Sequence, residues 1–255
     1  MDYHLAVPSY RRADLFGKKT LKFLRLSHAP NPVVYVADDQ DLVAYRNLYP
    51  DLDIRLAIKG MCAVRNFIQN EQPLGKKIVF LDDDIEEIYC LNPSTKKKEK
   101  VRDFNRLIQT AFSCAQTAGT TFWGVHPTDN GLTMKSCIRR NLCYCVGAFF
   151  GLINARVEVK YDYAEDFERS LKYWVKENAL CRLEFVGIQT KYYVNEGGLQ
   201  ETRDEIQNKE TKLRLAEEFP SLCKTTVRKG RTEIRFRRFP PHFISWDNNR
   251  YTRQE

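Results

Sequence analysis

Four short apolar runs punctuate the first eighty or so residues: Leu5-Ala6-Val7, Val33-Val34-Tyr35-Val36, Asp53 to Ile58, and Ile78-Val79-Phe80-Leu81. A stretch of helical pattern separates each run from the next. Between the first two, Leu15, Phe16, Leu21, Phe23, Leu24 and Leu26 recur at roughly helical spacing from Ala13 to Ser27. Asp41 to Leu48 follows the second run. Met61 to Gln69 follows the third, after the break at Gly60, and stops near Pro73-Leu74-Gly75. Short buried strands alternating with helices predict an α/β fold with a mainly parallel sheet covered on both faces. Such sheets take ligands at the carboxyl ends of their strands. That rim would carry Ser9, Asp38, Asp39 and Asp82 to Asp84.

Further along, Val101, Phe104, Leu107, Ile108, Ala111 and Ala115 form one stripe of a helix over 101–118 that Gly119 can close. Thr121 to Val125 and Leu142 to Ile153 read as strands. Asp162-Tyr163-Ala164-Glu165 fits a capping box ahead of a helix bearing Phe167, Leu171 and Trp174. Arg182 to Val186 and Thr190 to Val194 are further strand candidates. Gly197-Gly198 opens a polar segment to about Lys212. The chain of 255 residues suits one domain with an appendage, divided here as 1–203 and 204–255.

The balance of 43% hydrophobic and 29% charged residues is that of a soluble globular protein. No apolar run approaches the roughly 20 residues of a membrane span. Met1-Asp2-Tyr3-His4 lacks the pattern of a signal peptide, so a cytoplasmic location is expected. None of the eight cysteines forms a Cys-x-x-Cys pair, and they read as reduced core residues; Cys137, Cys143 and Cys145 have the wrong spacing for zinc. The net charge of +8 is concentrated. Lys224, Arg228, Lys229, Arg231, Arg235, Arg237 and Arg238 share a short stretch with a single acid, Glu233, and this stretch carries six of the eight net charges. It reads as a hairpin turning at Lys229-Gly230. A local cation cluster points to a polyanion, against the plainer reading of a solubilising surface.

Asp82-Asp83-Asp84 follows the apolar run 78–81 at once. Like charges so close repel and must be hydrated or paired. Asp82 and Asp84 at a strand end can hold a hard divalent cation, Mg²⁺ or Mn²⁺, together with phosphate oxygens. Capping of a following helix is the competing reading.

At this point the sequence resembles nucleotide-sugar-dependent glycosyltransferases of the GT-A fold, whose buried strand ends in Asp-x-Asp. The resemblance implies a mixed, mainly parallel Rossmann-like sheet flanked by helices, here with a basic C-terminal extension. It makes Asp82 and Asp84 metal ligands on a UDP-sugar, with Asp83 beside them and Asp38 and Asp39 on the same rim. Pro8-Ser9-Tyr10-x-Arg12 looks like the nucleotide loop, and Gly60-x-x-x-Val64-Arg65-Asn66 like the helix start near the diphosphate. Arg65 at a helix N-terminus suits an anion. Glu165-Asp166 falls where inverting members carry an acidic pair. Asp166 is the expected base, Glu165 having a capping role available. Val146-Gly147-Ala148-Phe149-Phe150-Gly151 would floor the acceptor site, against the reading of a plain core strand, and Trp123 and His126 would line it, against that of a buried tryptophan and a turn histidine. Gly197, Gly198 and Arg203 would belong to a loop over the diphosphate.

The combined motifs, including Leu-Asp-Asp-Asp-Ile, Val-Gly-Ala-Phe and Glu-Asp-Phe-Glu, resemble most the TET-associated glycosyltransferases. That family occurs in bacteriophages, includes relatives of the base J glucosyltransferase, and is thought to glycosylate hydroxymethylated pyrimidines such as 5-hydroxymethylcytosine in DNA. The resemblance implies transfer of a sugar, glucose being expected, from a UDP-sugar to DNA in the host cytoplasm. The basic stretch 224–238 would dock the phosphates without reading sequence. A base inside a duplex would have to be flipped out, with Tyr10, Trp123, Phe149 or Phe150 available to stack on it. Rival readings keep a glycan, lipid-linked or protein acceptor, or make the chain a non-catalytic nucleic-acid-binding module.

Overall fold

Strand β1 (Tyr3–Ser9) lies inside the sheet, parallel to both β2 (Val33–Val36) and β4 (Lys77–Leu81). β3 (Asp53–Leu56) extends the parallel set beyond β2. The structure is a computed structural model and describes residues 2–190, 204–240 and 242–245. Strand alternation divides the apolar residues between two layers. On β4, Val79 and Leu81 enter one core, and Ile78 and Phe80 the other. On β1, Leu5 and Val7 face the first core and Ala6 the second.

Helices cover both faces, as expected. The first run is α1 (Ala13–Phe16), a π turn (Gly17–Leu21) and α2 (Lys22–Leu26). A side chain on Gly17 would collide with the Tyr49 hydroxyl, which donates to the Ala13 carbonyl at 2.8 Å. The absent Cβ leaves room for that insertion, and the ladder widens there. α3 (Asp39–Leu48) and α4 (Met61–Glu71) link the remaining parallel strands. α5 (Phe104–Ala118) begins at the Asp103 cap and ends at a left-handed Gly119; Val101, placed in the stripe by its spacing, lies before the helix but is buried.

Two further strands, β5 (Glu87–Leu91) and the wholly charged β6 (Lys98–Lys100), follow β4. β7 (Phe122–His126), β8 (Cys137–Arg139) and β9 (Phe149–Ile153) precede α6 (Glu165–Glu177) and β10 (Cys181–Gln189). The expected strand over 142–153 is thus confined to β9. Asp162 does not cap α6. That cap is Ala164, in the left-handed conformation with no side-chain bond, while Asp162 accepts the Cys62 amide of α4 at 2.8 Å.

After residue 203 come α7 (Glu205–Glu218), the hairpin β11 (Cys223–Arg228) and β12 (Arg231–Phe236), and β13 (Phe243–Ser245). The main sheet runs β13-β8-β10-β7-β9-β4-β1-β2-β3, with β5 pairing β10 and β6 pairing β5. Antiparallel β9 joins the parallel half to β7, so the central sheet is mixed. The segment expected as an extension therefore returns one strand to the sheet. Among the described residues no helix is long and apolar enough to cross a membrane.

Candidate active site

The carboxyl ends of β1, β2 and β4 open into a cleft of about 810 Å³, within the usual range for ligand pockets. The turn after β4 forms one wall. It is held from two sides: the Asp82 amide donates to the Ala148 carbonyl at 2.9 Å, and the Thr20 hydroxyl of the π turn donates to the Asp82 carbonyl at 2.7 Å. The same hydroxyl accepts the Ile85 amide at 2.9 Å.

The three aspartates have different partners. Asp83 is buried, accepting the Ser9 hydroxyl on one oxygen and Arg12 on the other at 3.2 Å. Ser9 also meets the Tyr45 hydroxyl. Asp83 therefore ties the β1 loop, Pro8-Ser9-Tyr10, to the end of β4. Asp84 accepts the Thr190 hydroxyl at 2.9 Å and lies 3.8 Å from Arg12. Asp82 keeps 30% of its side-chain surface accessible and sits 3.1 Å from Arg65. Burial, reinforced by the neighbouring aspartates, pushes Asp82 up to about 7 despite Arg65. It pushes Asp83 up to about 6 despite Arg12 and Ser9.

Arg65 is almost wholly buried and joins the two walls. It donates to the Gly147 carbonyl at 2.7 Å and to Asp82, and its other guanidinium nitrogen meets Glu165. Arg169, one helical turn beyond Glu165, ion-pairs with the second Glu165 oxygen at 2.5 Å. Both guanidinium groups stack on Phe150, at 5.2 and 4.2 Å from the ring centre. Burial and the neighbouring Arg169 lower Arg65 to about 10, so it stays charged at neutral pH. Glu165 is thus fixed between two cations. Gly147 has no side chain because one would strike Glu165 and Arg65. Its bare backbone admits the ion triad, and Gly147 also lines the cleft.

Asp166 lines the cleft. One oxygen accepts the Tyr144 hydroxyl at 2.5 Å, and the other accepts its neighbour's amide, Phe167, at 2.9 Å. Glu168 closes the Glu-Asp-Phe-Glu motif in a structural role, accepting the Lys160 and Tyr161 amides and Lys172. Tyr10 carries Arg11 and Lys59 over its ring, each 5.0 Å from the centre. Lys59 and, from α7, Asn208 and Lys212 complete the lining. Sequence patterns gave no indication of Tyr144, Lys59, Asn208 or Lys212. Arg169, four residues after Glu165, did carry a readable spacing.

Several expected site residues lie elsewhere. Trp123 is buried between Phe112 and Phe149 at ring separations of 5.7 and 5.2 Å, so Trp123 and Phe149 belong to the core. Phe150 is buried as well, stacked on Phe80 at 4.8 Å. His126 is buried beside Glu184, its Nδ1 2.9 Å from the Thr128 carbonyl. Asp38 caps α3 by accepting the Asp41 amide, and Asp39 is the exposed first residue of that helix. Asn66 holds both backbone groups of Val159 at 2.8 and 3.1 Å and is occupied there. Ala148 does line the cleft. Gly197, Gly198 and Arg203 lie outside the described residues.

The basic stretch is a hairpin with left-handed Lys229 and Gly230 at its turn. Its inner face, with Cys223 and Ile234 buried, packs on the core beside Leu215 of α7. Its outer face pairs Lys224 with Arg235 and Arg228 with Arg231 across the strands, and all seven expected cations are exposed. Phe236 meets Phe167 at 5.5 Å, and Lys212 donates to the Thr232 carbonyl at 2.9 Å, so the hairpin adjoins the cleft wall.

Comparison with known proteins agrees with this architecture. A search of curated proteins finds no sequence match. Mannosyl-3-phosphoglycerate synthase from Rubrobacter xylanophilus superposes with a TM-score of 0.53 at 10% identity, over 98% of this chain and 89% of that one. Glucosyl-3-phosphoglycerate synthase from Mycobacterium tuberculosis, solved with Mn²⁺, UDP and glucosyl-3-phosphoglycerate, gives 0.48 at 7% identity, over 96% and 86%. The fold is that of GT-A glycosyltransferases. Residues 3–198 match the sequence model of the TET-associated glycosyltransferases, and the chain belongs to that family.

Proposed function

We propose that this glycosyltransferase moves glucose from UDP-glucose to the hydroxymethyl group of a modified pyrimidine in DNA, with inversion at the anomeric carbon. The observation that carries the reading is that Asp82, Asp84 and Asp166 line one cleft, the first two at the end of β4 and the third at the start of α6. Donor and acceptor would meet between them.

The donor set suits a hard cation. Three aspartates stand against Arg12 and an Arg65 already shared with Glu165, and Asp82 is left with a strongly raised pKa. Asp82 and Asp84 would hold Mn²⁺ or Mg²⁺. Among the described residues no group of three His, Cys, Asp or Glu is arranged for a metal, so diphosphate oxygens and water would supply the other ligands. When bound, the metal neutralises charge on the departing diphosphate. Arg12 and Lys59 would add positive charge there, and the Tyr10 ring offers a stacking face for the uracil.

The acceptor oxygen attacks the anomeric carbon and forms a new C–O bond. The bond from that carbon to the phosphate oxygen breaks, its electron pair leaving on UDP. The hydroxyl proton passes to Asp166, whose carboxylate is oriented by the Tyr144 hydroxyl. Glu165 acts on this step only by fixing Arg65.

The hairpin supports DNA as the acceptor. Cross-strand pairs of like charge destabilise a sheet, and this hairpin carries two of them on its solvent face. A phosphate backbone laid across that face would relieve the repulsion and gain affinity from counterion release. The target base would be flipped into the cleft.

The test is to incubate the protein with 5-hydroxymethylcytosine-containing DNA and a panel of UDP-sugars, digest the DNA and weigh the nucleosides. The expected product is 5-hydroxymethyl-2′-deoxycytidine heavier by one hexose residue, formed from UDP-glucose in the presence of Mn²⁺ or Mg²⁺. Transfer to oligosaccharide or lipid acceptors, with none to DNA, would overturn the acceptor assignment.

A further inference from the structure

A second cavity, of about 430 Å³, lies next to the aspartate turn, and its lining is dominated by cations. Lys18, Lys19 and Lys22 come from the π turn and α2, and Lys100 and Arg102 from the segment after β5. Among the described residues two acids, Glu86 and Glu87, share the lining with them. Glu86 takes Lys19 at 3.1 Å, and Glu87 takes Lys100 at 3.0 Å and Arg102 at 3.6 Å. Lys18 and Lys22 are exposed, and neither has an ion pair among the described residues. They stand four residues apart, a like-charge spacing that weakens a helix. Leu26, one turn further on, is 56% exposed and adds apolar surface to the same cavity.

The position of this cavity gives it meaning. Thr20, between the lysines, is the residue whose hydroxyl bonds the Asp82 carbonyl and the Ile85 amide. The cation-bearing helix is therefore fixed directly to the turn that carries Asp82 and Asp84. The basic hairpin is fixed to another wall of the cleft, through Phe236 on Phe167 and Thr232 on Lys212. Two cationic surfaces are thus tied to elements that wall the cleft, one to the aspartate turn through Thr20 and one to α6 and α7. A strand that inserts a base into the cleft leaves phosphates on both sides of that base, and a single hairpin would hold only one side.

We infer that the cavity formed by Lys18, Lys22, Lys100 and Arg102 is a second DNA-backbone site, binding phosphates beyond the target nucleotide on the side away from the hairpin. This rests on the reading of DNA as acceptor. The two surfaces together bracket the nucleotide to be flipped.

The test uses the full chain and a duplex containing 5-hydroxymethylcytosine. DNA binding is measured by fluorescence anisotropy over a range of salt, and transfer by product mass. Lys18→Glu/Lys22→Glu should lower the slope of log K against log salt by about 2, one per lysine, and raise the KM for DNA. Combined with removal of the hairpin cations, the losses in slope should add. Lys18→Gln/Lys22→Gln gives the same readout without charge reversal should the first variant fold poorly, as judged by its melting temperature. If wild type binds and modifies DNA but neither variant changes slope or KM, the second site is overturned while the proposed function stands. The second site is likewise overturned if the variants lose binding only to phosphatidylserine vesicles. If wild type neither binds nor modifies DNA, the proposed function has failed and this inference falls with it.

Discussion

Asp166 and Glu165 are adjacent in the chain and have separate tasks. Glu165 is buried between Arg65 and Arg169, whereas Asp166 lines the cleft with Tyr144 on one oxygen. Removing one charge from a buried set leaves the others uncompensated, at a cost of about 3–5 kcal/mol. Glu165→Gln should therefore lower thermal stability by about that much. Asp166→Asn should leave the melting temperature and UDP-glucose affinity close to wild type and lower single-turnover transfer by about 10²–10⁴-fold. Equal stability losses in both variants would refute the division. Asp82 supplies a pH prediction. Its folded value of about 7 lies above the ordinary 3.8, so the protonated form is favoured in the metal-free protein. The stability it contributes is present at low pH and is lost as pH rises through about 7. Asp82→Asn should therefore stabilise the metal-free protein relative to wild type, with a melting-temperature gap that widens from pH 5 to pH 8. Over the same range Mn²⁺ affinity of wild type should rise, since the ligand must be ionised. The aspartates could be read from the sequence because a strand ending on three charges has few explanations. The Arg65–Glu165 pair could not, because the two residues are one hundred positions apart and each has a plausible local role. Trp123 misleads for another reason: all five residues of β7 are buried, so period-2 reasoning cannot say which of them borders a site.

At the scale of elements, the segment 142–148 is where propensity fails. Its apolar and aromatic composition reads as a strand, yet side chains rather than a neighbouring strand take its backbone groups. Ser170 accepts the Cys145 amide, Arg182 bonds the Tyr144 carbonyl and Arg65 the Gly147 carbonyl. Tertiary partners override β-propensity there. Gly147 is the tightest point of the segment. Gly147→Ala should force the triad apart, destabilising the protein by about 1–3 kcal/mol in thermal denaturation and lowering transfer. A fully stable and active variant would contradict the account of the ion triad. α7 went unread because only Thr211 and Leu215 are buried along it, too few for a stripe. The hairpin was legible in full from its Lys229-Gly230 turn and alternating pattern. Arg235→Gln, Arg237→Gln and Arg238→Gln together should reduce the salt slope of DNA binding by about 3. An unchanged slope in anisotropy titrations would remove the hairpin from the docking account.

Across the whole molecule, the sheet explains what the sequence could and could not reveal. In the parallel half, β3-β2-β1-β4, helices lie between the strands, and β1, β2 and β4, largely buried on both faces, stand out as apolar runs. The other half keeps the buried β7 and β9, whose apolar runs are readable, but adds β5, β6, β8 and β13, which are short or partly exposed, and β10, which pairs with β5, β7 and β8. Its pairings link positions far apart in sequence and leave little periodic trace. The cleft lies at the carboxyl ends of the parallel half, closed by α6 and α7, so under the proposed function the readable part of the chain would supply the donor wall and the less readable part the acceptor wall. The account depends above all on that donor wall. A crystal of the protein grown with UDP and Mn²⁺ tests it most directly through the anomalous signal of manganese. The account predicts a manganese peak bridging the carboxylates of Asp82 and Asp84 and the β-phosphate of UDP. A peak elsewhere, or those two side chains engaged only by Arg65, Arg12 and Thr190 with nucleotide bound, would contradict it.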